Sequence, residues 1–321
     1  MLKCLLFSFL IIVLCVIIIL IVVITDKYVM IPKIINRIEK TKQQLPDELA
    51  TENKATIFYG MVRNGLPGLK KAKKNLLSLS RFFQDSIFII MEDGSTDGTR
   101  EFLNDWKVKD SRLTIVDGNF SSANKASNLF KNKDSFFSNK NKGPKRIAKY
   151  VVLRNQLHDF VVKRSRKFKT NFFISLDLDQ NVVIDEFEFW RSISKMSSDS
   201  SIVASSAHGL TSKFGLLHMY DTYAFLDEHI LKNNLNFSGV KKFLYILNLK
   251  LKSKENLNVI SNFGGISVYA NSAQFLNNYY TLDFEDDLNT LCKCEHVEFH
   301  KRLKKGQEFP KHLISFETFF H

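Results

Sequence analysis

Cysteine is scarce in this chain of 321 residues: Cys4 and Cys15 lie at or within an apolar N-terminal run, which leaves only Cys292 and Cys294 for the remainder. One closely spaced pair is no disulfide framework, so cysteine usage does not fix the compartment. The phosphate-cradling G-x-x-x-x-G-K-[ST] loop is missing, which removes P-loop chemistry. A net charge of +13 invites a nucleic-acid reading, yet no helix-turn-helix, zinc-finger or RNA-binding signature accompanies it and the basic residues are scattered. The charge is read as a solvated basic surface that would draw an anionic nucleotide or an acidic membrane face; no nucleic-acid partner is expected. Fixed-period repeats and low-complexity tracts are also lacking, and with 45% hydrophobic and 25% charged residues the chain can bury a core.

Charge is absent for twenty residues from Leu5 to Ile24, LLFSFLIIVLCVIIILIVVI. A helix of that length spans about 30 Å, the thickness of a bilayer's hydrocarbon. The run is too long for a signal peptide's apolar core, and the following ITDKYVM holds no small-residue cleavage site. Residues 5–25 are therefore read as an uncleaved transmembrane anchor behind a tail at 1–4. Lys27, Lys33, Arg37, Lys40 and Lys42 follow the anchor and only Lys3 precedes it, a bias toward a cytoplasmic domain that is weak for long translocated domains. Sequons at Asn119 and Asn236 would be usable in a secretory lumen. Residues 26–54 are polar, charged and without strand pattern; they are read as a stem that holds a domain at 55–321 off the bilayer.

From Ala55 short β-branched or aromatic runs begin: ATIFYGMV, SIFIIME, LTIVD, NFFISLD and SIVASS. Stretches with helical spacing separate them, such as Leu69 to Phe83 and Ile147 to Lys163. Strands alternating with helices predict one α/β domain whose mostly parallel sheet is covered on both faces. Residues 127–145 are the best candidate for a mobile loop.

In open α/β sheets ligands sit at the carboxyl ends of the strands, and two acidic motifs fall there. Glu92-Asp93-Gly94-Ser95-Thr96-Asp97-Gly98-Thr99 follows SIFIIM and precedes the helical TREFLNDW. Its glycines allow a tight turn, Thr96 or Asp97 can cap the next helix, and Asp93 is free to accept hydrogen bonds from a ribose or base. A solvated strand-to-helix turn accounts for the same letters. Asp177 and Asp179 stand at i and i+2 where an apolar strand ends. Magnesium or manganese prefers hard oxygen ligands and often uses one or two carboxylates plus substrate phosphates, so this pair makes half of a metal site. A D-x-D alone is commonly a polar turn; both motifs in this order, each behind a hydrophobic strand, are more specific.

Together these segments resemble the GT-A fold glycosyltransferases. The resemblance covers Tyr59 to Asn64, Asp93 to Thr99 and Asp177-Leu178-Asp179. It implies a Rossmann-like GT-A sheet, mixed and mostly parallel, flanked by helices, and a metal-dependent transfer of a sugar from a nucleotide-sugar donor to a glycan, glycoprotein or other glycoconjugate acceptor. By the resemblance Asp179 is the direct ligand of Mn2+ or Mg2+, Asp177 bridges ribose and metal, and Tyr59, Arg63, Asp93 and Arg154 contact the donor. A type II membrane protein with its catalytic domain in the Golgi or ER lumen is implied too, against the flanking charges. Tyr220 to Ala224 and Phe263 to Tyr269 look like the acceptor half of capsule-associated mannosyltransferase-like enzymes, so a hexosyl, and specifically mannosyl, transfer is the expectation. A plain turn before ISVYA explains Gly264 and Gly265 equally well.

The last constellation is Cys292-Lys293-Cys294-Glu295-His296-Val297-Glu298-Phe299-His300. If helical, it puts His296 and His300 on one face. By the resemblance Glu295 is the catalytic base of an inverting enzyme, or positions the acceptor in a retaining one, and His296, His300 or, less well, His321 completes the metal site. The family's E-D pair is departed from, since His296 stands second. Zinc at Cys292, Cys294, His296 and His300 is a second reading, with spacing unlike structural zinc sites; a helix with two exposed histidines is the third. Two further classes stay open on the sequence: a metal-dependent nucleotidyltransferase, and a non-catalytic, membrane-tethered glycan-binding protein.

Overall fold

The computed structural model describes residues 2–45, 52–130, 143–213, 216–233, 257–284, 292–306 and 310–320. The apolar run is helical: α1 (Leu2–Thr25) passes through one π-helical turn at Asp26–Met30 directly into α2 (Ile31–Lys42). Among the described residues this is the one helix long and apolar enough to cross a membrane, and Ile12, Leu14, Ile18 and Ile21 are exposed along it. The stem beyond it is not a free spacer. Ile34 and Ile38, one turn apart, are buried against Leu210 and Phe319, because the stem carries an apolar stripe at helical spacing that a domain face completes. Thr41 donates to Asp185 Oδ1 at 3.0 Å and Lys42 Nζ lies 2.8 Å from Glu186, so the polar edge of the stem is tied down as well.

Four strands run parallel in the order β3-β2-β1-β4: β1 (Glu52–Val62), β2 (Phe83–Glu92), β3 (Leu113–Asp117) and β4 (Phe172–Asp177). Between them lie α3 (Leu66–Ser80), α4 (Thr99–Lys109), α5 (Phe120–Asn128) and the long α6 (Pro144–Phe168). The helix predicted to run to Phe83 ends at Ser80 because Phe82 and Phe83 turn inward, their rings 6.0 Å from Phe189 and 5.9 Å from Phe58. The remaining elements are β5 (Val182–Ile184), α7 (Glu186–Ser198), β6 (Ile202–Lys213), β7 (Leu216–Met219), α8 (Glu228–Lys232), β8 (Leu257–Asn258), β9 (Ile266–Ala270), α9 (Ala273–Leu276), α10 (Glu295–Leu303) and β10 (Lys311–Phe320). They extend the sheet through β9, antiparallel to both β4 and β6, to β10, which runs parallel to β6. The result is a mixed, mostly parallel sheet flanked by helices.

Strand alternation divides the core into two layers. Phe58 and Phe88 face α3 and α4 with Leu69, Leu76 and Trp106, while Ile57, Ile89 and Phe173 face α6 with Leu153, Leu157 and Val161. Strand order reverses between β1 and β4, the kind of switch point that opens a crevice at the carboxyl rim.

Candidate functional site

A cleft of about 540 Å³ opens at that reversal. Arg63 reaches it from the end of β1, Asp93 from the end of β2, and Asp177 and Asp179 from the end of β4. The two acidic motifs therefore meet at one rim.

Most of the first motif is occupied in holding the backbone. Asn64, at φ 48°, donates its N–H to Ser95 Oγ at 2.9 Å and accepts from Thr96 N at 2.8 Å. Asp97 accepts from Thr99 N at 3.1 Å and, through its other oxygen, from Leu66 N at 3.1 Å. Gly98 sits at φ 89°, where a side chain would be strained. Glu92 is buried against Arg100 at 2.5 Å. Asp93 stands apart from this clasp: Lys149 Nζ lies 3.2 Å and Arg63 Nη1 3.8 Å from its Oδ2, while its buried Oδ1 has no hydrogen-bond partner among the described residues. A buried acceptor without a donor is costly, and Asp93 as a residue lines the cleft.

Asp177 is half-buried and accepts from the Tyr220 hydroxyl at 3.1 Å; Asp179 is exposed. Removal from water pushes the Asp177 carboxyl up from 3.8 to about 7; Arg154 opposes this, and the neighbouring Asp179 and Asp221 add to it. In the metal-free protein the folded state thus holds a proton that the unfolded chain releases near pH 4, so this group's contribution to stability falls as pH rises from about 4 to about 7. A divalent ion needs the carboxylate ionised. Manganese is therefore expected to raise the melting temperature more at pH 8 than at pH 5.5, which thermal melts with and without the ion at both values would read.

The Asp179 backbone is seated against α3. A Cβ added at Gly68 would lie 2.2 Å from the Asp179 carbonyl carbon and oxygen, closer than packed atoms approach. Gly68→Ala is expected to displace the Asp179 segment, with about 1–3 kcal/mol lost in stability, measurable by denaturant melts.

The opposite wall comes from α6, where Arg146, Tyr150 and Arg154 recur at i, i+4 and i+8 on the cleft face. Arg146 Nη2 donates to the Tyr150 hydroxyl at 2.9 Å. Arg154 Nε lies 2.8 Å from Glu295 Oε1, and its guanidinium stands 5.7 Å from the ring centres of Phe263 and Tyr280. Burial works against the Arg154 charge, but Glu295, Tyr280, Asp177 and Cys294 together outweigh it and hold the group above its ordinary range. The second Glu295 oxygen faces Cys294 Sγ at 3.7 Å. Sequence reasoning singled out Arg154 and passed over Arg146 and Tyr150; helical spacing backward from Arg154 was the signal that finds them.

Other expected residues fall elsewhere. Tyr59 is 4% exposed in the core layer beneath α6 and does not line the cleft, because it stands three residues short of the end of β1; Met61, on the same face but nearer the rim, lines it. His300 is fully buried with both ring nitrogens committed, Nδ1 to Ser261 Oγ at 2.8 Å and Nε2 to the Tyr269 hydroxyl at 3.0 Å; it does not join Asp177 and Asp179. The segment is helical, but the two histidines are buried rather than exposed: His296 lines the cleft, stacked on Phe263 at 4.1 Å. Among the described residues no three His, Cys, Asp or Glu side chains converge to hold a metal, which removes the zinc reading and leaves Asp177 and Asp179 as a two-carboxylate half site. Gly264 serves packing: a Cβ there would meet the Ala207 carbonyl oxygen at 2.0 Å. Asn119 is exposed and caps α5, accepting from Ser122 N at 3.1 Å. His321, Asn236 and residues 131–142 of the expected loop lie outside the described residues.

The chain is thus an α/β protein with an acidic cleft at the carboxyl rim of a mixed sheet. No protein-family model matches it, and no curated protein does either. Solved structures with a similar chain trace are GT-A glycosyltransferases at low identity. GalNAc-T7, crystallised with UDP, GalNAc and Mn2+, is 10% identical at a TM-score of 0.44, the match covering 84% of this chain and 44% of that one. The 1–349 portion of Staphylococcus aureus (S. aureus) TarS, in complex with UDP-GlcNAc, is 12% identical at 0.43, over 83% and 58%. The Pyrobaculum calidifontis mannosyltransferase PcManGT, with GDP-Man and Mn2+, is 11% identical at 0.39, over 84% and 61%. The chain spans less than two thirds of the length of each of these.

Proposed function

We propose that this chain is a membrane-anchored, metal-dependent glycosyltransferase that moves a hexose from a nucleoside diphosphate to a glycan or glycoconjugate hydroxyl. The observation that carries the reading is that Asp93, Asp177 and Asp179, drawn from two separate motifs, line one cleft with Arg63, Arg146 and Arg154 around them. A cleft that is acidic at its floor and cationic at its walls suits a metal–diphosphate pair better than either ion alone.

Asp177 and Asp179 would hold Mn2+ or Mg2+; burial first, and then crowding by Asp179 and Asp221, raises the Asp177 carboxyl, such an ion would relieve the crowding, and the remaining ligands fall to the phosphates. When bound, the ion neutralises charge on the departing diphosphate. The Asp93 carboxylate, at the cleft rim, would accept a hydrogen bond from the ribose or base. Arg154, pinned by Glu295 and flanked by Phe263 and Tyr280, presents a fixed cation to the phosphates and needs no reorganisation at the moment of transfer. With one oxygen on Arg154 and the other on Cys294, Glu295 acts first as the positioner of that cation rather than as an open base. We place the domain in the Golgi or ER lumen behind α1, a type II arrangement. Mannose is the sugar of first choice for the panel below.

Thermal melts against a panel of nucleotide-sugars, with and without manganese, test the reading: a donor that stabilises only with the ion supports it, and a panel without any shift overturns it. Release of a nucleoside diphosphate marks sugar transfer, whereas release of pyrophosphate would mark a nucleotidyltransferase instead.

A further inference from the structure

We infer that the acceptor is a glycoconjugate embedded in the membrane, a lipid presenting its sugar at the bilayer surface, because the anchor helix and the cleft are held at the same rim of the sheet. The inference rests on the sugar-transfer reading of the cleft and on α1 crossing the membrane.

Strand polarity carries the argument. β9 is antiparallel to both β4 and β6, and β10 is parallel to β6, so the carboxyl ends of β6 and β10 point to the rim where β4 delivers Asp177. Ser175, Ser267 and Ser206 stand level across β4, β9 and β6. Asp177 lies two residues beyond Ser175 and Leu210 four beyond Ser206, which puts Leu210 about 10 Å across the sheet from Asp177 and about 7 Å nearer the rim. Leu210 and its ladder partner Phe319 are the residues against which Ile34 and Ile38 of the stem are buried.

The connection is closer still at the π-helical turn. Asp26–Met30 packs on β7, and β7 runs directly into Tyr220, whose hydroxyl donates to Asp177. Tyr28, 66% exposed beside Lys27 where the apolar run ends, occupies the position of an interfacial aromatic. From Asp26 to Ile34 the helix rises about 12 Å. The cleft is therefore mounted within about 25 Å of the headgroups by a docked helix and not by a tether. Such a mount gives no advantage toward a freely diffusing polymer. For an acceptor confined to the bilayer it raises effective concentration. In the step itself, the bond from the sugar's anomeric carbon to the diphosphate oxygen breaks, a bond from that carbon to the lipid-borne hydroxyl oxygen forms, the hydroxyl proton passes to solvent or buffer base, and the nucleoside diphosphate leaves with the bonding pair.

The full chain in vesicles, given manganese and a nucleotide-sugar panel, is offered the same sugar as an octadecyl glycoside in the bilayer or as a methyl glycoside in solution. Transfer to the embedded acceptor is expected to be at least about a hundredfold faster at equal bulk concentration. A flexible Gly/Ser insertion of about twenty residues between Thr25 and Asp26 is expected to slow only the embedded reaction, about tenfold, leaving methyl glycoside transfer and donor hydrolysis unchanged. Energy transfer from a dye at Lys145→Cys, beside cleft-lining Arg146, to labelled headgroups reads the mount without any acceptor and is expected to give under about 35 Å. Equal use of both glycosides, an insertion without effect, or a dye beyond about 60 Å from the bilayer would each overturn the inference while leaving sugar transfer standing. No nucleoside diphosphate released from any donor of the panel, with either glycoside, would overturn both.

Discussion

Asp179→Ala is expected to lower manganese-dependent donor turnover by at least about a thousandfold while shifting the melting temperature of the metal-free protein by no more than about 2 °C. Asp179 is exposed, and its carboxylate takes no part in the hydrogen bonds that hold the carboxyl end of β4. On the proposed reading, deleting it removes one of two metal ligands and no packing, and exposed substitutions of this kind stay within about 0.5 kcal/mol. Steady-state kinetics with paired melts separate the outcomes. Retained turnover would show that Asp179 does not hold the ion, turnover absent from the parent chain would return it to the class of membrane-tethered glycan binders, and a large fall in melting temperature would show that the carboxylate holds the fold rather than the ion.

Arg154→Ala is expected to cost both fold and function. Its side chain is 16% and that of Glu295 6% exposed, so truncation strands a buried carboxylate, a loss of about 3–5 kcal/mol that urea unfolding would register. The companion Glu295→Gln keeps the shape of the pair and removes one charge. If Glu295 positions Arg154, this variant raises the donor KM about tenfold or more and leaves the pH profile of kcat intact. If it is instead the base that takes the acceptor proton, kcat falls by about 10²–10⁴ and the acidic limb of the profile disappears.

The architecture was largely legible before any coordinates. Each of the five apolar runs from Ala55 to Ser206 is a strand, and the spacing from Ile147 to Lys163 lies within α6. Binary pattern suffices there because a two-sided parallel sheet needs long apolar runs and its covering helices need a stripe. The stem shows where pattern alone stops: Ile34 and Ile38 carry the spacing of a buried face, but nothing local says which surface will cover them. The histidines err the other way, since His296 and His300 share a helix face as expected yet that face turns to Phe263, Ser261 and Tyr269 instead of to the carboxylates.

By itself the sequence determined the local facts: an uncharged run long enough to span a bilayer, strands that end in Asp93 and in Asp177-Leu178-Asp179, and a glycine-containing turn with Asp97 ahead of the next helix. Those depend on residues a few positions apart, whose geometry is set by steric and hydrogen-bond rules that hold in any fold. Only the tertiary structure decided that Arg154 pairs with Glu295 across 141 positions, that Tyr59 and His300 lie away from the cleft, and that the stem helix α2 packs on Leu210 and Phe319. Such partners meet because burying apolar faces chooses one packing among many, a choice made by the whole chain at once.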